Sequence, residues 1–201
     1  MTATLPEASD FVDEFAENSA YESGQQYEYL DHCRRIAVGP SVSLVFENHK
    51  TLSFRVREVE KLSRVYPPAS VRRMLDWYAG LLPDSHRLTA AVTVRRPGRR
   101  PNPGLNGLAD AISAGQIFIR IGDTEILGDI LPTRAGDRIL GAAFWVSFNL
   151  DDVAIAALAD FATPAFVSVI SDEYIWDSDL LHYDVRRSLV EDMERRTLRY
   201  R

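Results

Sequence analysis

The stretch RIAVGPSVSLVFENHKTLSFRVREVEKLSRV, residues 35–65, decides the fold that this sequence predicts. Apolar residues alternate with others over residues 42–46 and again over residues 52–56, which is typical of strands with one buried face. A loop over residues 48–50 brings the two apolar faces into register, so we predict a hairpin there. After Val56 the apolar spacing changes to about one helical turn, which predicts a helix that begins near Arg57.

The rest of the chain mixes hairpins with single helices. We predict an amphipathic helix after Pro68, a second hairpin in which Ile119 pairs with Ile126, and a final helix over residues 184–196. Regular βαβ alternation and a G-x-G-x-x-G turn are both missing from the sequence. The prediction is therefore an α+β fold, a single domain whose largely antiparallel sheet is built from hairpins and packed against several helices.

Composition limits the classes of function. The chain has 201 residues, of which 46% are hydrophobic and 26% charged, as is ordinary for one globular domain. The single cysteine, Cys33, excludes an internal disulfide and a cysteine-based structural zinc site. No apolar run reaches the roughly 20 residues that span a bilayer, and the N-terminus lacks the regions of a signal peptide. We therefore expect a cytoplasmic protein that does not bind membranes.

The net charge of −6 is unevenly distributed. Residues 1–34 contain eight acidic residues and one arginine, whereas the remainder is nearly neutral. We predict an acidic N-terminal arm over residues 1–34 and a single α+β domain over residues 35–201. So acidic an arm argues against nucleic acid as a partner.

An arginine-rich loop is the natural counterpart of this arm. Residues 95–100 hold four arginines separated by proline and glycine, and guanidinium groups suit phosphate or carboxylate ligands. Such a loop could also be simply exposed, or could dock an acidic segment of the same chain. We expect a protein partner, or a second copy of the chain in a homo-oligomer, to bind through the arm and the loop.

Two carboxylates form the first candidate site. Glu47 ends the first predicted strand and Glu58 lies in the first turn of the predicted helix, so the two are expected to be close. Paired carboxylates can act as acid and base or can hold a metal. The neighbouring arginines, Arg55 among them, could instead hold these groups in structural salt bridges. The side chains expected to bind substrate beside them are Arg35, Arg57 and Tyr78.

An acidic run near the C-terminus forms a second, metal-binding candidate, made up of Asp172, Glu173 and His182. Oxygen ligands in such density suit Mg²⁺, Ca²⁺ or carboxylate-bound iron. The spacing matches no EF-hand loop, and such runs usually form solvated surface. A third grouping, of His32, Cys33 and His49, could bind zinc or iron if the arm folds back over the first hairpin.

Several of these residues carry a likeness to a known family: Arg35, Gly39 and Pro40, the run Phe46-Glu47-Asn48, Thr51 and Glu58, with weaker matches at Tyr78 and at the Leu189…Asp192-Met193 ending. In these positions the chain resembles an uncharacterised bacterial family known as domain-of-unknown-function family 3501. It differs from the family at Arg55, Met74, Ala79 and Arg95, where glutamine, glutamate or asparagine is usual.

Genes of this family often lie beside those for rubrerythrin-like proteins and iron–sulfur oxidoreductases. The resemblance therefore implies a redox or metal setting, with iron or another divalent metal as the candidate cofactor. It leads us to expect an accessory, partner-binding protein. The alternative is a small-molecule biosynthetic enzyme that uses Glu47 and Glu58 as acid/base or metal-binding carboxylates.

Overall fold

A computed structural model of the chain describes residues 21–62, 68–94, 104–131 and 142–199. These residues form six helices and eight strands. The helices are α1 Tyr21–Cys33, α2 His49–Leu62, α3 Pro68–Ala79, α4 Gly104–Ala114, α5 Asp152–Ala159 and α6 Tyr183–Arg199. The strands are β1 Arg35–Val38, β2 Val42–Phe46, β3 Arg87–Val94, β4 Gln116–Ile121, β5 Thr124–Leu131, β6 Phe144–Asn149, β7 Ala165–Ile170 and β8 Ile175–Asp177.

The eight strands form one antiparallel sheet in the order β1-β2-β3-β6-β5-β4-β7-β8. The two edges of the sheet approach each other, and Val38 at the end of β1 bridges Ser178 just after β8. The sheet therefore curls into a nearly closed barrel. The predicted α+β domain with a largely antiparallel sheet is confirmed, and so is the register that pairs Ile119 with Ile126.

Apolar side chains fill the inside of the barrel. Alternate residues of the strands point inward, among them Phe46, Ile119 and Phe148, and all three are almost fully buried. Helix α6 adds Val185, Leu189 and Met193 to the same core, on the face that its sequence predicts. The large apolar area that this core removes from water is the main stabilising contribution to the fold.

A second apolar cluster lies outside the barrel. Helices α2 and α3 pack there against the outer face of β3 and β6. Leu52 and Val56 of α2 and Tyr78 of α3 surround Ala91 and Trp145 of the strands. In this half of the barrel, helices cover the outer face of the sheet, so the strands lie between an inner and an outer apolar core.

The predicted hairpin between residues 42–46 and 52–56 is wrong. Strand β2 pairs with β1 across a turn at Gly39, whose φ of 60° is natural for glycine, and residues 52–56 belong to α2. The spacing of Leu52 and Val56 fits one face of a strand and one face of a helix equally well. A capping box decides between them: Thr51 N–H donates to Asn48 Oδ1 (3.0 Å), and Asn48 N–H donates to Thr51 Oγ1 (2.8 Å).

The predicted arm and the arginine-rich loop lie largely outside the described residues. Residues 1–20 and 95–103 are not described, whereas residues 21–33 of the arm form α1, which packs against α6. Within the described ranges, no helix has both the length and the apolar character that crossing a membrane requires.

Candidate functional site

Glu47 lies at the junction of β2 and α2. Because Phe46 points into the barrel, the next side chain points to the outer face, where Glu47 is only 1% exposed. Its Oε2 accepts a hydrogen bond from Thr51 Oγ1 (2.5 Å), and its Oε1 accepts one from Arg55 Nε (2.7 Å). A second guanidinium nitrogen of Arg55 also lies 2.7 Å from Oε1. Both carboxylate oxygens are therefore engaged by α2, as the salt-bridge alternative predicted.

Arg55 connects Glu47 to the outer cluster. Its guanidinium carbon lies 5.2 Å from the ring centroid of Trp145, close enough for a cation–π contact. The ring of Tyr78 packs beside the same indole, with centroids 6.3 Å apart. Glu47 and Tyr78 are thus linked through Arg55 and Trp145, and Tyr78 is itself almost fully buried.

The position of Glu58 on α2 differs from the predicted one. Because α2 begins at His49, Glu58 lies in its third turn rather than the first, roughly 14 Å further along the axis than the start of the helix. The prediction of a first-turn position is wrong for the same reason as the predicted hairpin. The side chain of Glu58 is outside the described part of the chain, and that of Arg57 is half-buried on α2.

The buried arginine of this region is Arg34, which the sequence reasoning missed. Arg35 is partly exposed and pairs with Asp31 of α1 (2.7 Å). The guanidinium of Arg34 is fully buried, where it donates to the carboxylate of Asp192 and to Ser188 Oγ (3.1 Å), both on α6. The signal was present in the sequence, because Arg34 alternates with the buried Ile36 and Val38.

Asn48 joins this ion pair to the start of α2. Its Nδ2 donates to Tyr29 Oη (2.9 Å) and to Asp192 Oδ1 (3.3 Å), while its Oδ1 caps the helix. We call Arg34, Asp192, Ser188, Asn48 and Tyr29 the Arg34 network. Since its members come from α1, α6, the residue before β1 and the junction of β2 with α2, the network fixes these elements to one another.

Residues Glu47, Asn48, Thr51 and Asp192 all belong to the set that carries the family resemblance. In the structure they meet in two adjacent groups, Glu47 with Thr51 on one side of the chain and Asn48 with Asp192 on the other. A carboxylate whose two oxygens already accept hydrogen bonds within the protein has little capacity left for a substrate or a metal. The arrangement is suited to fixing helices on a barrel.

The predicted metal ligands do not come together. Asp172, Glu173 and His182 are all exposed, and the neighbour of His182 is Asp184, 3.3 Å away. His32 and His49 are likewise exposed, while partial burial raises the pKa of the Cys33 thiol. Among the described residues there is no group of three or more histidine, cysteine or acidic side chains arranged to hold a metal.

Comparison with known proteins gives a family and a fold. A family model described as "Protein of unknown function (DUF3501)" matches residues 22–193. The chain is also similar to the crystal structure of a novel protein of unknown function from Burkholderia pseudomallei, with a TM-score of 0.70 and 18% sequence identity. That likeness covers 96% of this chain and 99% of the other, and at this identity it shows the fold alone. No curated protein matches the chain.

Proposed function

The chain belongs to the family described as "Protein of unknown function (DUF3501)", and we propose that it is a cytoplasmic accessory protein that acts by binding a protein partner. One observation carries the proposal: the carboxylate of Glu47 is buried and fully hydrogen-bonded to Thr51 and Arg55. Glu47, the strongest catalytic candidate, therefore binds side chains of α2 and helps to hold that helix on the barrel. The alternative enzyme, which needs Glu47 and Glu58 as a working pair, stays a prediction without support from this geometry.

Charge supports docking through two segments. Residues 1–34 carry eight acids, and residues 95–100 carry four arginines, so the chain offers a partner one strongly negative and one strongly positive segment. The described part of the arm contributes exposed side chains from α1, including Tyr27 and Glu28. The family resemblance suggests iron redox proteins as the class of partner.

The test is retention on immobilised partners at low salt, with a rubrerythrin-like protein and an iron–sulfur oxidoreductase offered separately. The arm variant lacks residues 1–20 only, because α1 packs on α6 and Tyr29 belongs to the Arg34 network. The loop variant replaces Arg95, Arg96, Arg99 and Arg100 by serine. We expect the full chain to bind and each variant to bind at least about tenfold more weakly.

A matched control replaces Arg72 and Arg187 by serine, since both are exposed arginines on other elements. It should bind as the full chain does. Failure of the full chain to bind either partner, or equal binding by all variants, would refute the proposal.

A further inference from the structure

Among the described residues, the outer layer formed by helices α2 and α3 lies over β3 and β6. The outer core extends to Trp145 of β6 and the half-buried Leu131 of β5. Beyond it the outer faces of β5, β4, β7 and β8 present exposed or half-buried side chains, apart from the buried Ser168. Strand register identifies these positions: Phe118 pairs with Leu127 and Ser168, and Arg120 pairs with Glu125 and Phe166. Ile175 of the edge strand β8 continues the surface opposite Ile170.

Large apolar side chains cross this surface. Leu127 is 50% exposed and Ile175 is 72% exposed, whereas the neighbours of Leu127 on β5, Ile126 and Gly128, are buried. Between them, the guanidinium of Arg120 lies over the rings of Phe118 and Phe166 and pairs with Glu125 (3.1 Å). Exposed aliphatic side chains grouped with half-buried aromatic rings on the outer face of a sheet are a mark of a binding surface. We call this surface the acidic sheet face, for the charge that surrounds it.

The segments that form this face and the turns and loops next to it carry charge of mostly one sign. Residues 116–131 and 165–184 contain a single arginine, Arg120, which is already paired. The same segments contain eight carboxylates, all of them exposed: Asp123, Glu125, Asp129, Asp172, Glu173, Asp177, Asp179 and Asp184. Eight acids against one base give −7, which is more negative than the whole chain at −6. The potential at this surface therefore favours cations.

We propose that the acidic sheet face binds a basic segment of a partner protein, in which aliphatic side chains alternate with lysine or arginine. The aliphatic side chains cover Leu127, Phe118 and Ile175, and the basic ones meet the surrounding carboxylates. A second copy of this chain is a poor occupant in a symmetric arrangement, because the same face would oppose like charges. The inference rests on the proposed function, in that the chain acts through a partner.

The test measures binding of the full chain to two labelled peptides by fluorescence anisotropy. One peptide alternates lysine with valine, and the other alternates glutamate with valine. We expect saturable binding of the basic peptide only, weakening as salt screens the carboxylates. A variant with Leu127→Ser and Ile175→Ser should bind the basic peptide at least about tenfold more weakly.

Val153→Ser is the matched control, because Val153 is an aliphatic residue of α5 that is 71% exposed and lies off this face. It should bind as the unmodified chain does. Equal binding of both peptides, no binding, or equal binding by the Leu127→Ser, Ile175→Ser variant would each overturn the inference.

Two further outcomes would assign the face to another occupant and overturn the inference. The first is tighter peptide binding after the four arginines of residues 95–100 are replaced, which would make that segment the occupant. The second is self-association by light scattering that the Leu127→Ser, Ile175→Ser variant abolishes. The variant lacking residues 1–20 should keep peptide binding, so failure of docking through the arm is distinguishable from failure of this inference.

Discussion

At the scale of single residues, two buried charged groups, Glu47 and Arg34, connect elements of the fold. Glu47 is held by Thr51 and Arg55, and Arg34 is held by Asp192 and Ser188. In each case a buried charge has a partner from a different element, which limits the desolvation cost of burying it. Such pairs fix how the elements sit on one another more than they add to the free energy of unfolding.

Arg55→Met should lower the free energy of unfolding by about 3 kcal/mol, because it leaves the Glu47 carboxylate buried without its cation. Glu47→Gln added to Arg55→Met should recover part of that loss, since the uncompensated charge is gone. Chemical denaturation at neutral pH measures both values. If the double variant is no more stable than Arg55→Met, the ion pair does not have this role.

Cys33 gives a prediction that depends on pH. Burial, with the nearby Asp184 carboxylate as a second cause, raises the pKa of this thiol in the folded chain. Because the thiolate is the reactive form, alkylation by iodoacetamide should require a higher pH in the folded chain than in the urea-unfolded chain. Rates measured across the mildly alkaline range check this, and identical pH profiles in the two states would contradict it.

At the scale of elements, helix ends are fixed by side chains that the sequence only partly reveals. The capping box of Asn48 and Thr51 could be read from the sequence, yet the alternation over residues 52–56 favoured a strand. The alternation is compatible with a strand, but these residues form a helix. The capping box favours the helix because it satisfies backbone groups that would otherwise be unpaired at its first turn. By contrast, β4 and β5 were predictable, since a short turn and alternating isoleucines allow one sensible register.

Arg186 closes the C-terminal end of α5 in a way that no local pattern predicts. Its buried guanidinium donates to the carbonyl oxygens of Ala157, Leu158, Asp160 and Thr163. These acceptors lie more than twenty residues away in sequence, so they could be identified only once α5 and α6 were packed together. The Arg186 guanidinium thus does what a glycine-based C-cap does in other helices, because it donates hydrogen bonds to several carbonyl oxygens at the C-terminal end of α5.

Arg186→Met should therefore lower the free energy of unfolding by at least about 3 kcal/mol, because several carbonyl groups lose a charged donor. Arg187→Met is the control, since Arg187 is exposed and pairs with Glu191 on α6. It should change stability by less than about 0.5 kcal/mol. Equal losses for the two variants, measured by denaturation, would argue against the capping role.

At the scale of the whole molecule, Tyr174 strengthens the closure between the two edges of the sheet, where Val38 also bridges Ser178. Tyr174, just before β8, donates its hydroxyl to Val38 O and accepts from Ser41 N–H (3.1 Å). The glycine of the adjoining turn, Gly39, lies against Trp176, and a Cβ there would approach that ring to 2.5 Å. The seam between β1 and β8 thus depends on contacts between residues more than a hundred positions apart.

Tyr174→Phe should cost about 1–3 kcal/mol, because Val38 O loses its buried donor and Ser41 N–H loses its acceptor. The loss should appear as faster amide exchange in β1 and β8, with little change in β3 and β6. Tyr27→Phe, at an exposed tyrosine, is the control. Unchanged exchange at the seam would show that the hydroxyl does not maintain the closure.

The fold class was readable from the sequence, whereas the barrel closure and the site were not. Hairpin periodicity indicates antiparallel pairing between neighbours in the chain, which covers β4 with β5. The joining of β3 to β6 and the bridge from Val38 to Ser178 depend on contacts with no local signal. The site prediction depended on the start of α2, which was misplaced by eight residues, so Glu58 was assigned to the wrong turn of the helix.

Only two residues, Glu47 and Asn48, separate β2 from α2, so the number of residues at this junction is constrained. Glu47 and Asn48 are neighbours, yet one reaches toward Arg55 and the other toward Asp192. Inserting or deleting one residue at this junction would rotate α2 by about 100° relative to the strand. Both groups would then lose their partners together, so the junction should tolerate substitution far better than any change in its number of residues.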